Sequence, residues 1–141
     1  MKNSHRREAF ILAAATGLLG VTFGVLADSA EFSLAQAVVL SSLTFTGASQ
    51  FAAVSVIDSG GNPVTAVGSA LLLAARNSLY GPLVAPLLRT PSRARRAVAI
   101  HLVIDETTAM ATAQNSLEES RDAFWFTGIW LFIFWNSGTI I

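Results

Sequence analysis

Apolar residues run along this chain in five long blocks: Ala9–Ala27, Leu34–Ile57, Val64–Leu88, Ala97–Leu117 and Ala123–Ile141. Short polar breaks separate them, reading DSAEFS, DSGGNP, RTPSRARR and EESRD. A helix rising 1.5 Å per residue needs roughly 20 apolar residues to cross a hydrocarbon core about 30 Å thick, and each block comes near that length. Gly60, Gly61 and Pro63 punctuate one break clearly. No strand-like alternation stands out. The pattern predicts an all-α fold, a polytopic α-helical membrane protein with about five apolar segments in a single transmembrane domain over residues 1–141. The first block has a basic start and ends in Val25-Leu26-Ala27, which also suits a cleaved signal peptide. It is long for one, and four more apolar blocks follow, so we read it as a span. Gly20 and Gly24 form a GxxxG step that lets helices approach closely in lipid.

Composition supports the lipid reading. Of 141 residues, 52% are hydrophobic and only 13% charged, with a mean hydropathy of +0.55. Soluble domains carry about a quarter charged residues. Nine Lys/Arg balance nine Asp/Glu, so net charge points to no nucleic-acid partner. The absence of Cys excludes a disulfide framework and thiolate chemistry. His5 and His101 are the only histidines, too few for a metal site, and we expect neither metal nor cofactor.

Charge placement constrains topology. The positive-inside rule puts Lys2, Arg6 and Arg7 in the cytoplasm, and the Arg89–Arg96 loop with them. Three apolar blocks lie between the two basic clusters, and three full crossings would put the second cluster outside. One of the three is therefore expected to be broken or re-entrant. Leu34–Ile57 is the best candidate, because GASQ (Gly47–Gln50) sits at its centre and weakens a helix there.

Ionisable residues inside the apolar blocks are costly, at about 2.5–3.5 kcal/mol at a helix centre, and are functional by default. Arg76, Asp105 and Glu106 are such residues. Adjacent positions on a helix lie about 100° apart, so Asp105 and Glu106 cannot face one partner equally. We expect one to pair with Arg76 and the other to face a transport path. A carboxyl group in a low-dielectric cavity can carry protons near neutral pH. His101, four residues before Asp105, is expected on the same face, followed by a small polar stripe at Thr108, Ala109 and Thr112. The alternative is an ion pair that only holds helices in register. Gly81 and Pro82 are expected to bend or end a helix just after Arg76 and Asn77. In the last block Trp125, Trp130 and Trp135 recur every five residues, so they spread around a helix and read as lipid and interface anchors. Asn136, Ser137 and Gly138 are expected to interrupt that helix. No HExxH or GxSxG motif occurs, so the chain is not expected to be an enzyme.

Four stretches, FTGASQFAAV, LLAARNSLYGPLVAPLL, HLVIDETTAMAT and FWNSGT, together resemble the branched-chain amino acid permease family of the AzlC type, the large subunits of bacterial amino acid exporters. The resemblance covers nearly the whole chain. It implies export of branched-chain amino acids, driven by proton exchange, through the bacterial cytoplasmic (inner) membrane. It also implies a multi-pass chain with a cytoplasmic N-terminus and a small hydrophobic partner subunit of the AzlD type. The matching positions are Gly47, Ala48, Ser49, Gln50, Phe51, Arg76, Asn77 and Tyr80, which we take as substrate-binding candidates, and Asp105 and Glu106, taken as proton-coupling or ammonium-binding candidates. Members of that family run on for several more spans, so residues 1–141 are expected to be incomplete relative to it. A non-transporting interaction subunit, or an inactive fragment, is the alternative reading.

Overall fold

A computed structural model describes residues 4–90 and 92–141. Lys2, counted in the topology argument, and Pro91, inside the basic loop, lie outside the described residues. The secondary structure among the described residues is all helical: α1 Ser4–Ser29, α2 Leu34–Leu43, α3 Gly47–Asp58, α4 Pro63–Ala75, a 3-10 turn Arg76–Tyr80, α5 Gly81–Val84, α6 Arg93–His101, α7 Asp105–Thr112 and α8 Leu117–Ile140. Among the described residues one helix, Ser4–Ser29, is long and apolar enough by itself to cross a membrane, with a mean hydropathy of 2.1 over its 18-residue apolar stretch.

The long helices α1 and α8 run side by side in the same direction. His5 meets Asp122 near the start of both, Phe10 meets Trp130, and Gly17, Gly20 and Gly24 face Phe134, Trp135 and Thr139 in turn. Glycine is what permits this approach. A Cβ on Gly20 would lie 2.5 Å from the Trp135 carbonyl oxygen, and one on Gly24 would lie 2.6 Å from that of Thr139. The Gly20–Gly24 step therefore does serve close helix packing. α8 is continuous through Asn136-Ser137-Gly138, contrary to expectation. Asn136 Nδ2 donates to the Phe132 carbonyl, Thr139 Oγ1 donates to that of Trp135, and a Cβ on Gly138 would run into Gly17 of α1. Asn136 and Thr139 bond back along their own helix and Gly138 packs on α1, so the low propensity of the stretch is overridden.

The block Leu34–Ile57 is broken into a helical hairpin. Ser33 and Gln36 form a capping box that starts α2. α2 then climbs against the direction of α8, with Ser41 bonded to Thr139, Ser42 to Asn136, and Phe45 packed on Phe132. The helix ends at Leu43, and α3 starts at Gly47 after a short turn. α3 retraces the path: Ala53 and Ile57 line the same groove as Leu40, Gln36 and Phe32. α4 packs on α3 through Ala53, Ala66 and Ala70. The chain then continues to Leu87, Arg89 and Thr90, which share a cleft with His5 and Arg6. The two basic clusters thus lie at the same end of the molecule, as the charge argument required.

Two further blocks are broken, Val64–Leu88 next to the Gly81-Pro82 pair that was expected to bend it and Ala97–Leu117 where we expected continuity. Val64–Leu88 leaves the α-helix at Arg76, ahead of the Gly81-Pro82 pair. Proline cannot bond back to the carbonyl four residues earlier and its ring clashes there, so the disturbance extends upstream of Pro82. Ala97–Leu117 breaks at Leu102–Ile104. α6 runs alongside α8, with Arg95 over the Trp125 ring at 5.2 Å and Leu102 against Gly128. α7 begins beside Leu131 and Trp135, and the chain is back at Ser116, the N-cap of α8, four residues after α7 ends. α6 and α7 therefore form a second helical hairpin, which approaches along α8 from the opposite end to α2–α3. The tips touch: the Phe45 ring stacks on the His101 ring, centroids 5.8 Å apart.

Candidate functional site

The hairpin tips enclose a cavity of about 350 Å³, lined by Thr16 and Leu19 of α1, Phe45 to Ala48, Gln50 and Phe51 of the first tip, Arg76, Ile104 to Glu106 of the second tip, and Leu131 and Trp135 of α8. Two helices begin at it. The N-cap of α3, Thr46, makes no side-chain cap bond, and the N-cap of α7, Ile104, has no polar side chain to make one. First-turn amides have no intrahelical acceptor and carry the positive end of the helix dipole. The site is thus electropositive at two points.

The second tip carries its own counter-charge. Asp105 and Glu106 are the first residues of α7, where carboxylates are favoured by the dipole. Arg76 Nη2 lies 3.1 Å from Asp105 Oδ2 and 3.3 Å from Oδ1, and both side chains are close to half exposed. This ion pair is open, not buried. Glu106 lines the cavity and has neither hydrogen bond nor ion pair among the described residues. His101 does not share a face with Asp105, because the Leu102–Ile104 turn separates them and the His101 ring stacks on Phe45 instead. The stripe expected at Thr108, Ala109 and Thr112 is not a cavity lining: Thr108 is buried and Thr112 bonds to its carbonyl.

The tips are stitched from inside. Gln50 is fully buried. Its Nε2 donates to the carbonyls of Thr44 (2.7 Å) and Ser41 (3.3 Å), and its Oε1 accepts from Trp135 Nε1 (2.8 Å). Thr107 does the same for the second turn, donating to the Leu102 carbonyl (2.6 Å) and accepting from the Ile104 amide (3.1 Å).

A second, larger cleft of about 650 Å³ lies at the basic end, lined by His5, Arg6, Arg89, Arg95, Arg121, Asp122 and Trp125 among others. Arg6 donates to Asp122 through Nε at 2.8 Å and again through Nη2, and His5 Nε2 lies 2.7 Å from the same carboxylate. The Arg6 hydrogen bonds hold the Asp122 carboxyl well below the usual carboxylate range, against partial burial. This cluster fastens the start of α1 to the start of α8.

A family model described as AzlC protein matches residues 12–141. The chain belongs to the AzlC family. No curated protein and no solved structure gives a significant match. Membership makes this a membrane protein connected with branched-chain amino acid transport.

In this AzlC chain the structure gathers Gly47, Ala48, Gln50, Phe51, Arg76, Asp105 and Glu106 at one cavity. Ser49 is fully buried beside it, with an unpartnered hydroxyl. Asn77 is off the lining, and Tyr80 stands behind it next to Asp105. Trp135 was assigned to lipid anchoring from its spacing, but only 5% of it is exposed and it forms a wall of the cavity. Its place in the FWNSGT element was the available signal.

Proposed function

We propose that this chain is a transporter subunit that exports branched-chain amino acids across the bacterial cytoplasmic membrane, coupled to protons, as a multi-pass protein with its N-terminus in the cytoplasm. The observation that carries the reading is the cavity itself. An amino acid is a zwitterion with a short side chain, and the cavity offers a place for each part. The amides of Gly47 and Ala48, at the uncapped start of α3, suit the carboxylate. Glu106 suits the ammonium group or the coupling proton, because Arg76 already occupies Asp105. Leu19, Phe45, Phe51, Leu131 and Trp135 form the apolar wall. Helix N-termini meeting at mid-depth, with irregular backbone confined to a cavity, is the arrangement transporters use to bind polar substrates in lipid.

The outer surface fits lipid or a hydrophobic partner. Leu18, Leu43, Val64, Leu72 and Leu79 are each at least 71% exposed, and large exposed apolar surfaces mark contact with a membrane or a partner. A small AzlD-type subunit is the partner we expect on part of it. The test is leucine and valine efflux from cells or vesicles carrying the chain with that subunit. Glu106→Gln should abolish pH-driven export. Unchanged export in that variant would remove Glu106 from the mechanism, and no efflux from the unaltered pair would leave a non-transporting interaction subunit as the better reading.

A further inference from the structure

Trp135 is held on the sides that do not face the cavity. Its indole N–H is bonded to Gln50, whose own amide is fixed by the Ser41 and Thr44 carbonyls. Phe23 stacks along it at 6.5 Å and Phe51 meets it edge-on at 6.2 Å. The far edge of the ring presses on Gly47, where a Cβ would lie 2.9 Å from Cη2. A ring so enclosed has no other rotamer open to it without breaking a buried hydrogen bond or moving the tip backbone. It therefore meets a ligand as a stop and not as a cushion.

The stop is also tied to an anchor. Gly47 opens α3, and it is the Gly47–Ala48 end of that helix that suits a carboxylate. Trp135, Gln50 and the α3 N-terminus form one bonded unit, so the spacing between anchor and stop is constant. We infer that Trp135 is a specificity-determining residue that sets how long a side chain the site accepts, admitting branched aliphatic chains and rejecting longer or aromatic ones. This rests on the transporter reading above and deepens it. One missing or added methylene in an apolar pocket changes discrimination by about 10- to 200-fold, so moving this wall should be visible in substrate ranking.

The experiment measures competing efflux of valine, leucine, methionine and phenylalanine. Trp135→Phe shortens the wall and should raise methionine and phenylalanine export relative to leucine by about tenfold or more. Gly47→Ala adds a methyl to the cavity lining against the Trp135 ring and should act in the opposite sense, lowering leucine relative to valine. Both variants leaving the ranking within twofold of the parent would overturn the inference. A second measurement guards against misfolding. With Trp125→Phe and Trp130→Phe, Trp135 is the sole tryptophan, and leucine should shift its emission saturably. No shift in a protein that still exports leucine would also overturn it. A shift in a pair that exports nothing would support Trp135 as the wall of a binding site while removing the transporter reading.

Discussion

Replacing Gln50 with leucine tests the claim that this residue builds the first hairpin tip. Leucine is apolar and of similar bulk, so the change removes hydrogen bonds without opening a large void. Two buried groups lose their partners. The Trp135 indole N–H donates to Gln50 Oε1 at 2.8 Å. The Ser41 carbonyl faces Gln50 Nε2 and has no helical amide above it, because α2 ends at Leu43 and the last bond of that helix runs from Thr44 to Leu40. The Thr44 carbonyl still accepts from the Thr46 amide at 2.7 Å. An unsatisfied buried polar group costs about 1–3 kcal/mol, so two cost about 2–6 kcal/mol. Taking the soluble-domain scale of about 2–4 °C per kcal/mol, the thermal midpoint of the purified protein in lipid nanodiscs should fall by about 4 °C or more. Trp135 emission should change with it, since its indole loses a partner. A midpoint within about 1 °C of the parent, with unchanged emission, would show that the tip does not depend on Gln50.

Two further changes probe the frame that carries the site. Gly20→Ala puts a Cβ into backbone of α8 and should destabilise the protein by about 1–3 kcal/mol, the range for overpacking. Gly68→Ala, where a Cβ meets nothing, should be neutral or slightly stabilising through helix propensity; thermal unfolding of the two variants side by side checks both. Asp122→Asn should weaken the fastening of α1 to α8. The Asp122 carboxyl lies below its ordinary range in the folded protein, so its contribution is fully present above the unfolded value of about 3.9 and fades as pH falls below it. The stability difference between parent and variant, followed from pH 7 down to pH 3, should therefore be constant at first and shrink only in the acid limb.

Much of this was readable from residue order. The first hairpin announced itself twice, by GASQ in an oily block and by basic clusters that three crossings could not place on one side. The second hairpin left no such mark. Its turn, Leu102-Val103-Ile104, contains neither Gly nor Pro, and its two arms are each under ten residues, so the block reads as one helix of spanning length. One support of the turn lies far away in sequence, Leu102 packing against Gly128, and the other is local, the Thr107 hydroxyl taking over the backbone groups freed by the turn. Trp135 was misassigned for a related reason. Spacing along α8 shows that three tryptophans spread around the helix, but not that one of those faces meets a hairpin tip instead of lipid.

The position of the second break also resolves the cost of the intramembrane carboxylates. Read as one continuous helix, Ala97–Leu117 would hold two charges near its centre, each at about 2.5–3.5 kcal/mol. Broken at Leu102–Ile104, the same sequence puts Asp105 and Glu106 in the first turn of α7. A helix N-terminus favours a negative charge by about 0.3–1 kcal/mol, and by up to about 2 in partly buried settings. Arg76 approaches from the opposite block, and the cavity leaves both carboxylates accessible. Asp105 is balanced by Arg76, and on the proposed reading Glu106 is the carboxylate that meets a charged ligand. A continuous helix would have had to bury or pair both, and would have left the site no free carboxylate.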